Sequence, residues 1–341
     1  MSIKQLSLSN ARNLFHSHSS SSFRLSIIIL IIIIIIIIIF LIILVLYKYS
    51  KYSKYFKNEV YIETFNGNKN IKQDTTSKWT IWMYWEYKKP KTSSRPIYLD
   101  ICYETVIKHC SSSFKIQMLD EISIHKFLPG LRNDLDDKLT IPQKTDYYRY
   151  ELLRKYGGIW LDTDIIVMKD LKPIADLLNN GYSYIGAGCH GNKCRPNGFP
   201  KPANWFMASL PEDPLVSRCI KKCDKLLDTY DTLKEKYFIL GRETMWDEID
   251  YLLKNMPTWR YYHLDSICTE RDSNDKKYVN ARFLSNENND PKCSNKQLFI
   301  PVYNTAPGFP DWFKSMSREK ILESSNTMLI SKLFRESLDM N

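Results

Sequence analysis

The chain has 341 residues, 44% of them hydrophobic and 25% charged, with a formal net charge of +10. That length holds one large domain or two small ones with appendages. Seven lysines and arginines between Lys4 and Lys57 precede the first acidic residue, Glu59, which leaves about +3 for 58–341 and excludes a basic groove for nucleic acid.

Residues 1–24 are polar and Ser-rich and read as a disordered tail. From Leu25 the sequence runs "LSIIILIIIIIIIIIFLIILVL" without a charge. At about 1.5 Å rise per residue, its twenty apolar residues from Ile27 to Leu46 reach across the roughly 30 Å hydrocarbon core. A cleaved signal peptide carries about 7–15 apolar residues and a small-residue cleavage site. The residues that follow here are "YKYSKYFK", so a single-pass anchor is expected at 25–47. Lysines and arginines flank it on both sides, so the positive-inside rule leaves a Golgi-type lumenal and a cytoplasmic orientation both open. The lysines from Lys48 to Lys57 suit anionic lipid headgroups. Residues 48–78 keep no period and read as a stem.

The globular domain is expected over 79–341. "WTIWMYWE" is β-branched and aromatic, a buried first strand. "PIYLDICYETVIKHC" has helical spacing, "FKIQMLD" is a second strand, and "QKTDYYRYELLRKYGG" is a helix closed by Gly157. "IWLDTDIIVM" reads as a strand pair around two aspartates, followed by a short helix "LKPIADLL" and a strand "YSYIGAG". After the loop "CHGNKCRPNGFPKP" come a strand "NWFMAS", helices "DPLVSRCIKKCDKLLDTY" and "GRETMWDEIDYLL", and a late strand "LFIPVY". This alternation predicts an α/β domain with a largely parallel sheet.

Asp162 and Asp164 stand two apart, so on a regular strand they share one face. Two such carboxylates repel unless a cation intervenes, and their hard oxygens suit Mg²⁺ or Mn²⁺ completed by phosphate oxygens. A solvated Asp-Thr-Asp loop without a role is the competing reading. Asp146 and Arg149, three apart on one helix face, point to one cleft with the pair, because that helix ends directly at the Gly157-Gly158 turn. Cys189, Cys194, Cys219 and Cys223 carry enough thiols for a zinc site, although their spacings depart from CxxC pairs. Glu243, Asp247 and Glu248 read as acceptor-side carboxylates, as another metal contact, or as ordinary helix-surface charges. His190 and His263 read as structural or solvent-facing.

"TDYYRYELLRKYGGIWLDTD" resembles the signature of the DXD-containing glycosyltransferases, among them capsular polysaccharide synthesis proteins, yeast-type α-mannosyltransferases and clostridial glucosylating toxins. Asp146, Arg149, Leu153, Gly157, Gly158, Ile159, Trp160, Asp162 and Asp164 fall on the shared pattern. "WTIWMYWE" is similar to the family's first strand, and "ANWFMASLPEDPLV" to a later segment, with Asp213 where histidine is usual. The capsular branch is the nearest. The resemblance implies a GT-A (Rossmann-like) domain that uses a nucleotide-diphosphate sugar with Mn²⁺ or Mg²⁺ and transfers a hexose, with retention of configuration, to a glycan, glycolipid or glycoprotein acceptor. It implies Asp164 directly on the metal, Asp162 on the ribose or on the metal through water, and Asp146 and Arg149 on sugar hydroxyls and diphosphate. It further implies Trp82 stacked on the base, Trp160 walling the sugar pocket and Asn204 at the donor sugar. Simple core packing is the other reading of Trp82. By analogy, Asn304 and Asp311 lie in a late loop completing the donor site. A metal-dependent nucleotide-sugar hydrolase or phosphotransferase, and an inactive membrane-tethered binding module, remain the alternatives.

Overall fold

The computed structural model describes residues 28–40, 42–43, 78–87, 95–188, 201–264, 283–284, 298–302 and 309–340. The chain divides into two compact units, Met1–Asn70 and Ile71–Asn341. In the first, residues 28–40 and 42–43 are helical, with the large apolar side chains 47–60% exposed. Among the described residues no helix is long and apolar enough to cross a membrane. The remainder of the expected anchor, the 1–24 tail and stem residues 48–77 lie outside the described residues.

The second unit is built on a six-stranded sheet in the order β2-β1-β3-β6-β5-β7. Its strands are β1 (Thr80–Tyr84), β2 (Lys115–Leu119), β3 (Gly158–Leu161), β5 (Tyr184–Ala187), β6 (Ala203–Ser209) and β7 (Tyr261–Leu264). The sheet is mixed, where the alternating pattern predicts a largely parallel one. β1 runs parallel to β2 and β3, but β6 is antiparallel to both β3 and β5. Strand order cannot be read from helix–strand alternation, and β6 enters the sheet after the 189–200 segment without a described helix before it. A separate antiparallel pair joins β4 (Ile165–Val167) to β8 (Phe299–Pro301).

Period-two alternation splits the sheet's side chains between two cores. Trp82, Trp160, Tyr184 and Met207 point to one face, against the helices Ile141–Tyr156, Pro214–Thr229 and Thr244–Asn255. Their neighbours Ile81, Ile159, Ile185 and Phe206 point to the other face, against the helices Ile97–Cys110 and Lys172–Asn179. A third core gathers Tyr98, Ile166, Ile300 and the carboxyl-terminal helices Asp311–Lys314, Arg318–Leu322 and Leu329–Leu338. Those three helices and β7 are elements that the sequence reading leaves out.

Two devices fix the helix Ile141–Tyr156. At its start, Thr140 and Gln143 form a capping box, and the Gln143 amide also donates to the Leu233 carbonyl at 2.7 Å. At its end, Gly157 and Gly158 adopt φ of +64° and +99°. A Cβ on Gly158 would stand 2.3 Å from the Thr80 carbonyl oxygen, so the close approach of β3 to β1 demands glycine there.

Candidate active site

β3 ends at Leu161, β4 begins at Ile165, and the residues between them form a turn. The two aspartates therefore do not share the face of a regular strand. Asp162 keeps the face of Trp160, and the Trp160 indole N–H donates to its Oδ1 at 2.8 Å. Asp164 lies beyond Thr163, and its charge raises the pKa of Tyr98 and Cys102, second only to their burial. Its backbone carbonyl accepts from Val302 N at 2.8 Å, which ties the turn to the end of β8.

Arg149 is the centre of the cluster. It is 4% exposed on the inner face of the helix Ile141–Tyr156. Its Nη2 lies 3.2 Å from Asp146 Oδ1 and 3.3 Å from Asp162 Oδ1. Its Nη1 donates to the Asn204 carbonyl and its Nε to the Thr145 carbonyl at 3.3 Å. The guanidinium carbon sits 5.1 Å from the centroid of the Trp160 ring. Asn204, near the start of β6, returns its side-chain amide to Asp146 Oδ1 at 2.7 Å. Arg149, Asp146, Asp162, Asn204 and Trp160 thus form one hydrogen-bonded unit at the carboxyl end of β3, the position where open α/β sheets hold ligands.

The electrostatics follow from this enclosure. Burial pushes Asp146 up to about 7, Asp162 adds to the rise, and Arg149 and the Asn204 amide oppose it. Asp162 is also raised, by burial first, against the pull of Arg149 and the Trp160 N–H. Its side chain keeps 30% of its surface open to solvent. Burial works against the charge on Arg149, but Asp162 and then Asp146 outweigh it and keep the guanidinium protonated.

These placements redistribute the roles that the sequence implies. Arg149 spends its N–H groups on protein oxygens, so it holds Asp146 and Asp162 in place and presents no free fork to a diphosphate. Trp160 is fully buried and braces Asp162 from below, without an open face toward a sugar. Trp82 is 3% exposed, packs between Phe127 and Tyr156 at 5.2 and 5.4 Å, and donates its N–H to the Gly157 carbonyl at 2.9 Å. Such a ring has no surface on which a base can stack, so the core-packing reading is the one that its surroundings fit.

The aromatic just beyond the carboxyl end of β1 is Trp85. Trp82 is in register with Trp160, and three residues further on Trp85 and Thr163 lie past the carboxyl ends of β1 and β3. Trp85 is half-buried and packs against the core that contains Tyr98 and Ile166. A count of three from Trp82 along a parallel strand signals it. Gly241 is the other residue that the sequence reading misses. It lies in the π-helical turn Ile239–Glu243, and a Cβ there would stand 2.5 Å from both Asp146 Oδ2 and Asn204 Nδ2. A π-turn inside a helix-forming segment is a feature common at functional sites, but its i→i+5 bonding leaves no pattern in the sequence.

The remaining candidates fall away from the cluster. Asp213 caps the helix Pro214–Thr229 through Leu215 N at 2.8 Å and accepts from the Trp259 indole at 3.0 Å. Asp247 and Glu248 pair with Lys222 and Arg218 at 2.6 and 2.5 Å, the helix-surface reading, and Glu243 is exposed. His263 is buried, with Nε2 3.1 Å from the Gly188 carbonyl. Asp311 begins a four-residue helix beside Lys314. Cys219 and Cys223 are buried thiols whose pKa burial raises well above the usual range, an environment hostile to zinc-binding thiolates. Cys189, Cys194, His190 and Asn304 lie outside the described residues.

For a divalent ion, the described residues present no cluster of three or more His, Cys, Asp or Glu side chains. Asp162 and Asp164 offer hard oxygen donors at the half-open turn. That donor set fits an ion such as Mg²⁺ or Mn²⁺, which commonly takes one or two carboxylates and fills its other positions with phosphate oxygens and water.

The family model described as capsular polysaccharide synthesis protein matches residues 43–293, and the chain belongs to that family. No curated protein sequence matches the chain. Among solved structures it is similar to the PaToxG glycosyltransferase, with 13% identity over 53% of this chain and 70% of that one (TM-score 0.34). It is similar to the glycosyltransferase GlyE of Streptococcus pneumoniae TIGR4, with 16% identity over 77% of this chain and 60% of that one (TM-score 0.40). A galactosyltransferase, LgtC, in complex with donor and acceptor sugar analogs shares 12% identity over 76% of this chain and 95% of that one (TM-score 0.39).

Proposed function

We propose that this chain is a glycosyltransferase of the GT-A type, anchored by the 25–47 segment, which moves a hexose from a nucleotide-diphosphate sugar to a hydroxyl of a glycan, lipid or protein. The observation that carries this reading is the buried Arg149 guanidinium shared between Asp146 and Asp162 at the carboxyl end of β3. A protein that only needed a stable core has little reason to bury two carboxylates beside a cation, because apolar residues of similar volume do as well or better. Perturbed carboxylates gathered in a cleft mark functional sites. Family membership points to the same chemistry.

In this reading Asp162 and Asp164 hold a divalent cation at the turn. Bound there, the ion would neutralise charge on the leaving diphosphate. Arg149, Trp160, Asp146 and Asn204 fix the rotamer of Asp162, so that its carboxylate needs no reorganisation when donor arrives. Trp85, beyond the carboxyl end of β1, would stack on the nucleobase. The exposed isoleucines of 28–40 support lipid as the cover for the anchor.

The test incubates the full chain in lipid nanodiscs with Mn²⁺ and a panel of nucleotide sugars, and follows donor binding by calorimetry and sugar release or transfer by NMR. Metal-dependent binding of one donor class, lost in Asp162→Ala with Asp164→Ala, is expected. Transfer to an added acceptor with the anomeric configuration retained identifies the reaction. Unchanged binding and metal dependence in the double variant would refute the site. Release of sugar to water alone, whatever the acceptor, assigns the chain to the hydrolases.

A further inference from the structure

The helix Pro214–Thr229 sorts its side chains by face. Cys219, Cys223 and Leu227 enter the core beneath it. Its acids turn to one flank, where Asp224 accepts from the Tyr147 hydroxyl at 2.9 Å. On the same flank the Arg132 guanidinium lies 2.7 Å from Asp228 and 3.8 Å from Asp224. Its bases turn elsewhere. Arg218, Lys221, Lys222 and Lys225 line a cavity of about 560 Å³, together with Leu226 and Tyr230. Against these four cations the lining holds one carboxylate, Glu248 of the helix Thr244–Asn255.

Two of the four bases are answered within the chain. Arg218 pairs with Glu248 at 2.5 Å and stacks 3.7 Å from the Tyr251 centroid, and Lys222 pairs with Asp247 at 2.6 Å. Lys221 and Lys225 are exposed, and among the described residues neither ammonium has an ion-pair or hydrogen-bond partner. The acids three residues beyond them, Asp224 and Asp228, are the ones drawn to Arg132. Lys221 and Lys225 stand four apart, as do Arg218 and Lys222, so like charges neighbour one another along this face. That spacing destabilises a helix unless an anion lies between the charges. Tyrosines flank the bases: Tyr230 and Tyr251 are 38% and 47% exposed, and Lys236 adds its ammonium 4.0 Å from the Tyr230 centroid.

We propose that this cavity receives the phosphate head group of an anionic membrane lipid, held by Lys221 and Lys225, and so docks the domain on a bilayer. The proposal rests on the anchor at 25–47 in the reading above. A domain tethered to a membrane meets its head groups at high effective concentration, and each lysine near the surface strengthens the attraction to anionic lipid. Tyrosine, with an apolar ring and a polar tip, is enriched where bilayer meets water. A free phosphate would satisfy the two ammonium groups but leave Leu226 and the exposed tyrosine rings in water. A head group with its glycerol and first methylenes occupies both.

The experiment places the full chain in nanodiscs of phosphatidylcholine, alone or mixed with phosphatidic acid, and follows lysine acetylation by mass spectrometry. Lys221 and Lys225 should react about tenfold more slowly in the anionic discs. The exposed Lys126 and Lys172 should react alike in both. Hydrogen exchange along the helix Pro214–Thr229 should slow in the anionic discs, and Lys221→Gln with Lys225→Gln should abolish the slowing. Thermal melting checks the folding of that variant. Equal acetylation in the two discs, or equal protection of every exposed lysine, overturns the head-group site. Protection by inorganic phosphate in neutral discs as strong as that by phosphatidic acid overturns lipid as the occupant. If neutral discs do not retain the chain, but phosphatidic acid vesicles carry it in flotation and lose it in the double glutamine variant, the site stands and the anchor reading falls.

Discussion

Replacing Asp146 with asparagine should make the folded chain more stable above neutral pH. Asp146 is 8% exposed and its pKa stands at about 7, raised chiefly by burial. An unfolded aspartate titrates near 3.9, so the shift is about three units, each about 1.4 kcal/mol. The sign follows from proton uptake. Between about pH 4 and 7 the folded chain binds a proton on Asp146 and the unfolded chain does not. The stability that this group contributes is therefore complete below about pH 4, declines as pH rises, and is spent above about pH 7. Asparagine mimics the protonated form, still accepts from Asn204 through its oxygen, and has no charge to bury. At pH 8, Asp146→Asn should exceed the wild type by about 2–4 kcal/mol, and the difference should vanish near pH 4. Urea denaturation of both proteins from pH 4 to 8 measures it. Asp213, held at about 7 by its own burial, slopes both curves alike and cancels in the difference. Sugar transfer by the variant should fall while its stability rises, the pattern of a residue retained for function at a cost to folding. Parallel pH curves, or a variant less stable than wild type at pH 8, would refute the argument.

Arg149→Lys replaces a planar fork serving Asp146, Asp162, Asn204 and Thr145 with one ammonium, and should lose about 2–4 kcal/mol in urea denaturation although the charge is kept. Gly158→Ala forces a Cβ against the Thr80 carbonyl at a positive φ and should cost about 3 kcal/mol or more, read as a lowered melting temperature. Trp82→Phe leaves the Gly157 carbonyl without its donor and should cost about 1–2 kcal/mol while the Kd for UDP, GDP or ADP stays unchanged. Trp85→Ala should instead weaken nucleotide binding about tenfold in calorimetry.

The sequence carries the elements of this domain better than their arrangement. Helix Ile141–Tyr156 is legible because capping residues, helical spacing and a Gly-Gly stop agree within twenty residues, and the cluster is legible for the same reason. Arg149, Asp146 and Asp162 stand within one such segment, so local geometry alone brings them together. Asn204 joins them from β6, across a long-range antiparallel pairing that no local pattern encodes. Trp82 and Trp85 illustrate the limit most clearly. Both are tryptophans of one short segment, and sequence says nothing of which one is enclosed. The difference is that Trp82 lies within the β1–β3 register, under Phe127 and Tyr156, whereas Trp85 has passed the end of the sheet.

The turn itself explains why the aspartates are spaced as they are. Leu161 ends a strand of the six-stranded sheet, and Ile165 begins a strand that pairs instead with β8. The chain thus changes sheets within three residues, and its two carboxylates pass to different neighbours. Asp162 stays with Trp160 and Arg149, on the side of the Ile141–Tyr156 helix. Asp164 joins Tyr98 and Cys102, on the side of the Ile97–Cys110 helix. Each therefore lies beside a separate core. Two carboxylates side by side on one strand would repel and spread. The two cores hold them apart, with buried Thr163 between them. In the proposed reading, a cation-bridged diphosphate would meet both carboxylates without first pulling them into place.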